Sequence, residues 1–234
     1  MSKIKKIYDI LLKNYGPQKW WPVTSESEIT PRYSGGPKTG KQQLEVIFGA
    51  ILTQNTSWKN VEKAIINLNK NNLIDIKKII EIENKKLANI IKSSGYHNQK
   101  AERLKIFSEF LLKNYNGNLK KLFEKNIDEL RKELLEIKGI GPETADSIIL
   151  YSAQKPIFVI DAYTKRIFSR IGFKEKTYDE FQNAFHKNLA KDVNLFNEYH
   201  ALIVEHGKNI CKKKPLCSEC VISEICQSNN KLIP

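Results

Sequence analysis

The four cysteines of this 234-residue chain crowd into one short segment, Cys211, Cys217, Cys220 and Cys226, spaced C-x5-C-x2-C-x5-C. Thiolates packed this densely cannot all face a hydrophobic core, so the segment must wrap around something that takes four sulfur ligands. A structural zinc usually gathers its ligands as two close pairs, whereas here only Cys217 and Cys220 are close and the outer two flank them nearly symmetrically. That spacing favours an iron-sulfur cluster over zinc. Two disulfides are the third reading, but the chain opens MSKIKKIYDI with no apolar signal segment, which points to a reducing cytosol.

Charge narrows the partners. Lys and Arg number 39 against 26 Asp and Glu, a formal balance of +13, which suggests a polyanion and electrostatic steering toward it. Nucleic acid leads, and a lysine-rich but merely solvated surface is the bland alternative. No segment approaches the roughly 20 consecutive apolar residues that a membrane-spanning helix needs, so no membrane partner is expected.

The periodicity is helical almost everywhere. Leu44, Ile47, Phe48, Ile51 and Leu52 fall at i, i+3, i+4, i+7 and i+8, and Val61, Ala64, Ile65 and Leu68 repeat the pattern. Further stripes run through Leu87, Ile90 and Ile91, through Leu104, Phe107 and Leu111, and through Leu130, Leu134 and Leu135. Phe181, Phe185 and Leu189, then Phe196, His200, Ile203 and Val204, supply two more. The fold class is all-α. Residues 22–41 carry no stripe, are dense in Ser, Pro and Gly, and read as a loop.

Two local signals stand out. In Ile137-Lys138-Gly139-Ile140-Gly141-Pro142-Glu143 the glycines permit a tight turn between helices, and Pro142 suits a first helical position. Such a turn offers backbone N–H groups at a positive helix end, where a phosphate can bind without any base contact. Asp161 follows the apolar run Phe158-Val159-Ile160 and precedes a helix, the position of an N-cap.

Together these residues resemble the helix-hairpin-helix DNA glycosylases of the endonuclease III type, over about residues 42–226. Leu52-Thr53-Gln54-Asn55-Thr56 is similar to the stretch whose glutamine enters DNA at the lesion. Gly95-Tyr96-His97-Asn98-Gln99-Lys100-Ala101 resembles the second minor-groove loop, with Tyr96 at a wedge position. His206-Gly207-Lys208 with Cys211 resembles the lead-in to a 4Fe-4S cluster. The resemblance implies a two-lobed fold: a six-helix domain at 42–155 containing the hairpin, and a second domain from 1–41 plus 156–234 carrying a C-terminal iron-sulfur loop. It implies a monomer acting on damaged duplex DNA that lies, bent, between the lobes, in a cytoplasmic, nucleoid-associated setting.

An enzyme cannot reach a glycosidic bond inside a stacked duplex, so the base must be extruded. Wedges such as Gln54 and Tyr96, with Asn98, Gly139, Gly141 and Lys165 as further DNA contacts, would help offset the unstacking. Asp161 is the expected catalytic carboxylate, stabilising positive charge on the deoxyribose. Where bifunctional members place a Schiff-base lysine, this chain has Glu143. A carboxylate cannot form an imine, so the expectation is a monofunctional enzyme with Glu143 in the catalytic pocket or merely as a first-turn acid.

Gly141-Pro142-Glu143-Thr144-Ala145 looks more like the 3-methyladenine glycosylase branch, and Trp20, Trp21, Trp58 and Tyr163 could wall a pocket for an alkylated purine. The cysteines belong rather to the endonuclease III and adenine-mismatch branches, which keeps damaged pyrimidines in view. Lys212-Lys213-Lys214 could offset the charge of a cluster and grip phosphate. A lyase using another amine, and a non-catalytic binder of damaged DNA, are the alternatives.

Overall fold

The computed structural model describes residues 2–228. Among them the order is α1 (Lys3–Tyr15), α2 (Gly40–Leu52), α3 (Trp58–Lys70), α4 (Ile76–Glu81), α5 (Asn84–Ile90), α6 (His97–Tyr115), α7 (Leu119–Phe123), α8 (Ile127–Glu136), α9 (Pro142–Ser147), α10 (Ala162–Ile171), α11 (Tyr178–Asn188) and α12 (Val193–Asn209). The chain is all-α, and its strand-like feature among the described residues is an isolated antiparallel bridge between Val23 and Arg32. No described helix is long and apolar enough to cross a membrane.

Two compact units result, one from Met1–Trp20 with Pro156–Pro234, the other from Trp21–Lys155. The Trp21–Lys155 unit is built around α2, whose stripe Leu44, Ile47, Phe48, Ile51 and Leu52 is buried along with Val46 and Ala50. A helix apolar all round must be central, and α2 packs against α3, α6, α7 and α9. The stripe on α8 is narrower than its sequence suggests: Leu130 and Leu134 are buried, but Leu135 turns outward and is 36% exposed.

The stretch 21–41 lies in this same unit and is tied down. Trp21 meets Trp58 edge-on at 5.3 Å between ring centroids and Tyr151 at 5.2 Å. Gly49 on α2 admits the indole, because a Cβ there would sit 3.0 Å from it. The buried Glu45 carboxylate accepts from the Thr24 amide and from Asn69, each within 2.9 Å.

The other unit has an aromatic centre. Phe158 stacks on Phe185 at 3.9 Å, and Phe196 and Tyr199 meet Phe158 edge-on. The Tyr199 hydroxyl donates to the Ile4 carbonyl at 2.7 Å, fastening α1 to α12. The run Ile157–Ile160 is buried and belongs to no helix or strand, so its backbone needs other partners. Helix α11 supplies them: Gln182 donates to the Phe158 carbonyl, while His186 and the Tyr178 hydroxyl accept from the amides of Phe158 and Ile160. This fixes the approach to Asp161.

Candidate active site and DNA interface

The α8–α9 hairpin closes with the Ile140 amide donating to the Ile137 carbonyl at 3.0 Å. Gly139 sits at φ +91°, and a Cβ there would also lie 2.7 Å from Arg103 Cγ, so only glycine fits without strain. Gly141 is the N-cap of α9 in extended conformation; it supplies no side-chain cap, and Pro142 opens the helix. Gly141, Pro142 and Glu143 are all exposed. Behind them the hairpin is locked: Arg131 Nε on α8 donates to Asp146 Oδ1 on α9 at 2.8 Å, with the carboxylate fully buried.

Gln54 reaches this hairpin. Its Nε2 donates to the Gly139 carbonyl and to Thr144 Oγ1, both at 2.9 Å, and its Oε1 accepts from Arg103. Asn55 beside it is exposed at φ +54°. Tyr96 is 66% exposed and sits at φ +45°, ψ +34°, a left-handed conformation uncommon for an aromatic residue. Asn98, two residues further along, is exposed in the first turn of α6.

In the other unit, Asp161 caps α10. Its Oδ1 accepts from the Thr164 amide at 2.7 Å and the Thr164 hydroxyl at 2.8 Å, and its Oδ2 stands 3.7 Å from His200 Nε2. Burial by itself would raise the pKa of this carboxyl, but His200 and the two Thr164 hydrogen bonds outweigh it and hold the pKa below the ordinary aspartate value. Asp161 is therefore a buried, charged carboxylate with one oxygen fully engaged. Lys165, one turn on, has its ammonium 5.7 Å from the centre of the Tyr178 ring.

The cysteines follow α12. All four line one small cavity of about 20 Å³ with Arg170, Ile210, Pro215, Leu216 and Ser228, and none is paired in a disulfide. Among the described residues no three His, Cys, Asp or Glu stand close enough to hold a metal ion. Arg170 on α10 donates to Cys211 Sγ at 3.2 Å and to the carbonyls of Lys212 and Lys213. Arg166 donates to the carbonyls of Gly207 and Cys211.

Burial lowers the pKa of His206 to about 4, and burial with the charge of Cys220 raises that of Tyr15 to about 12. The Tyr15 hydroxyl and His206 Nδ1 share a hydrogen bond at 2.7 Å, and His206 Nε2 stands 3.7 Å from Cys220 Sγ. A set of four thiols, with an Arg170 N–H on Cys211 and the His206 ring beside Cys220, suits an anionic cluster. The three lysines 212–214 are exposed, as expected for a solvent-facing basic loop.

Comparison with known proteins places this geometry. The profile of the HhH-GPD superfamily base excision DNA repair proteins matches residues 48–191. The chain belongs to that superfamily. It is a base-excision-repair DNA glycosylase.

A Methanocaldococcus jannaschii protein provisionally named a DNA repair glycosylase is 49% identical to this glycosylase over 96% of both chains. Endonuclease III of Thermotoga maritima is 30% identical over 86% of this chain and 89% of its own. Among solved structures, the 3-methyladenine DNA glycosylase MagIII of H. pylori bound to 1,N6-ethenoadenine is similar with 29% identity and TM-score 0.68, covering 89% of this chain and 98% of its own. An endonuclease III trapped covalently on DNA shares the fold at TM-score 0.78, with 19% identity and 99% of each chain covered.

The aromatic candidates are divided between the two units of the glycosylase. Trp21 and Trp58 pack on each other in one, and Trp20 is half-buried in the other. Tyr163 stacks beside Arg166 and covers Gly207, where a Cβ would meet its ring at 2.6 Å. Sequence reasoning missed four residues: Thr164, His200, Lys100 and Arg103. Thr164 was legible, since an acid three residues before a threonine is cap spacing. Lys100 was legible too, as a lysine on the apolar face of α6. His200 lies within a core stripe and gave no signal.

Proposed function

We propose that this glycosylase is monofunctional, releasing a damaged base and leaving an intact abasic strand, with Asp161 as catalytic carboxylate and an alkylated purine as substrate. Glu143 carries this reading: at the hairpin position where an amine would be required, the chain offers an exposed acid in the first turn of α9. A carboxylate cannot form a Schiff base, so β-elimination has no nucleophile there. Lys138 and Lys165 are already engaged, by Glu102 at 2.9 Å and by the Tyr178 ring.

Breaking the glycosidic bond sends its electron pair into the departing base and leaves positive charge on the sugar. A carboxylate held charged, with Oδ1 engaged by Thr164 and Oδ2 facing His200 Nε2 at 3.7 Å, can stabilise that charge and orient the water that adds at C1′. His200 and Thr164 act as positioning residues for it. Alkylated purines already leave readily because the ring is electron-poor, so such a site needs no covalent catalysis. The 29% likeness to MagIII over most of both chains supports that substrate class.

Gln54, Tyr96 and Asn98 would enter or line the minor groove. Gly139 and Gly141 would present backbone N–H groups to a phosphate, Lys165 would contact the backbone, and Glu143 would face the extruded base. Cys211, Cys217, Cys220 and Cys226 would hold a 4Fe-4S cluster. The C-x5-C-x2-C-x5-C spacing, with only Cys217 and Cys220 close, supports a cluster over a lone zinc ion. When bound, the cluster cross-links the segment and contributes no hydrolytic chemistry.

The test is to incubate the purified, cluster-loaded protein with methylated DNA and with duplexes carrying oxidised pyrimidines, uracil or mismatches. Free base is scored separately from strand breaks before and after hot alkali, with borohydride added in parallel. Alkylated purine released, breaks only after alkali and no trapped adduct are expected. Breaks without alkali, or a borohydride-trapped adduct, would mean that another amine acts and that Glu143 has been misread. Structure-selective binding with no base release from any duplex would identify a non-catalytic binder.

A further inference from the structure

Lys100 lies on α6 with 1% of its surface exposed, and its ammonium donates to two backbone carbonyls, Leu52 at 2.8 Å and Ser94 at 2.6 Å. Leu52 ends α2 two residues before Gln54, and Ser94 ends a short helical turn two residues before Tyr96. Both carbonyls would otherwise stand at helix C-termini with no partner of their own. One turn along α6, Arg103 donates to Gln54 Oε1 and packs its side chain on Gly139. A single helix thereby grips the Gln54 loop, the Tyr96 loop and the hairpin.

We propose that Lys100 is a positioning residue that locks the Gln54 and Tyr96 loops into one rigid pair, so that both enter DNA together beside an extruded nucleotide. The inference rests on reading Gln54 and Tyr96 as wedges. A backbone outlier accompanies it: Tyr96 holds positive φ, a conformation that for an aromatic residue persists only where the surroundings enforce it. Burying a lysine without a carboxylate is costly, which argues for a specific use of its three donors. Burial and nearby Arg103 lower its pKa to about 8, so at neutral pH it is still mostly a full donor.

The probe is a duplex with a tetrahydrofuran abasic site opposite 2-aminopurine, whose fluorescence reports unstacking when a wedge fills the gap, with affinity measured against the intact duplex. The full cluster-loaded chain is used throughout. Lys100→Met should lose about tenfold of the preference for the gapped site, together with the fluorescence change. Adding Gln54→Ala to it should cost little more, because neighbours acting through one device are not additive. Lys100→Arg keeps the charge but displaces the donors, and should fall between; it also carries the comparison if the methionine variant does not fold.

If Gln54→Ala and Tyr96→Ala each weaken the signal while the Lys100 variants match wild type, the positioning role is overturned and the wedge reading stands. If the Gln54 and Tyr96 variants themselves behave as wild type, the wedge reading fails and the inference falls with it.

Discussion

Two helix N-termini in this chain, those of α9 and α10, are capped in different ways. Helix α9 is preceded by Gly141, which has no side chain to cap it, and Gly141, Pro142 and Glu143 are exposed while Thr144 is buried. Helix α10 begins with Asp161, buried, whose carboxylate already satisfies the Thr164 amide. Every helix N-terminus carries partial positive charge from its unpaired N–H groups. Left open and exposed, that charge suits an anion such as a DNA phosphate. Filled by an internal carboxylate, it becomes a way to keep an acid ionised in a dry place, where it can face a cationic sugar. On the proposed roles, the same backbone feature would serve binding in one unit and chemistry in the other, according to whether the cap residue has a side chain.

The largest expected effect breaks the support behind the open terminus. Arg131→Met leaves the Asp146 carboxylate buried without its guanidinium partner, and should cost about 3–5 kcal/mol of stability. Chemical denaturation would read this as a lower midpoint with little change in slope.

Asp161→Asn comes next. It keeps the Thr164 cap but removes the charge, and should slow base release by about a hundredfold or more in single-turnover assays with DNA affinity little changed. Turnover near the wild-type rate would remove Asp161 from the mechanism.

Gly141→Asp would make the first terminus like the second. The space beside Gly141 is open, so the substitution should fit. Stability should rise by a few tenths of a kcal/mol, while a carboxylate placed where a phosphate is meant to sit should weaken DNA binding by about tenfold, roughly 1.4 kcal/mol. Equal affinity in a titration at fixed salt would show that the hairpin does not bind phosphate.

The smallest effect concerns acid. The folded-state pKa of Asp161 is held below its ordinary value of 3.8, so its ionisation stabilises the fold at every pH above about 4. That contribution is lost as pH falls through the folded value. The stability gap between wild type and Asp161→Asn should shrink as pH falls below about 4.

Much of the site was legible because its residues announce themselves locally. Gly139 and Gly141 mark a turn, Asp161 marks a cap, and four cysteines at short spacing mark a shared site. The apolar stripes found the core of nearly every long helix. Leu135 was misassigned to the core because a 3.6-residue period cannot tell how wide a buried face is, and only the packing of α8 leaves that residue outside.

The sequence by itself determined an all-helical chain, the tight α8–α9 turn, the cap at Asp161 and the four-thiol loop, since each depends on residues within a few positions of one another. Tertiary structure decided what those residues touch. His200 reaches Asp161 from another helix, α11 side chains hold the buried run before it, Arg170 grips the cysteine loop, and Lys100 and Arg103 tie separated loops to α6. It also decided that the 21–41 stretch joins the unit around α2, through Trp21 and the buried Glu45. Such partners lie tens of residues apart in the chain. Local spacing cannot reveal them, because a hydrogen bond or a buried contact depends on distance in space and on exclusion of water, which only the folded chain supplies.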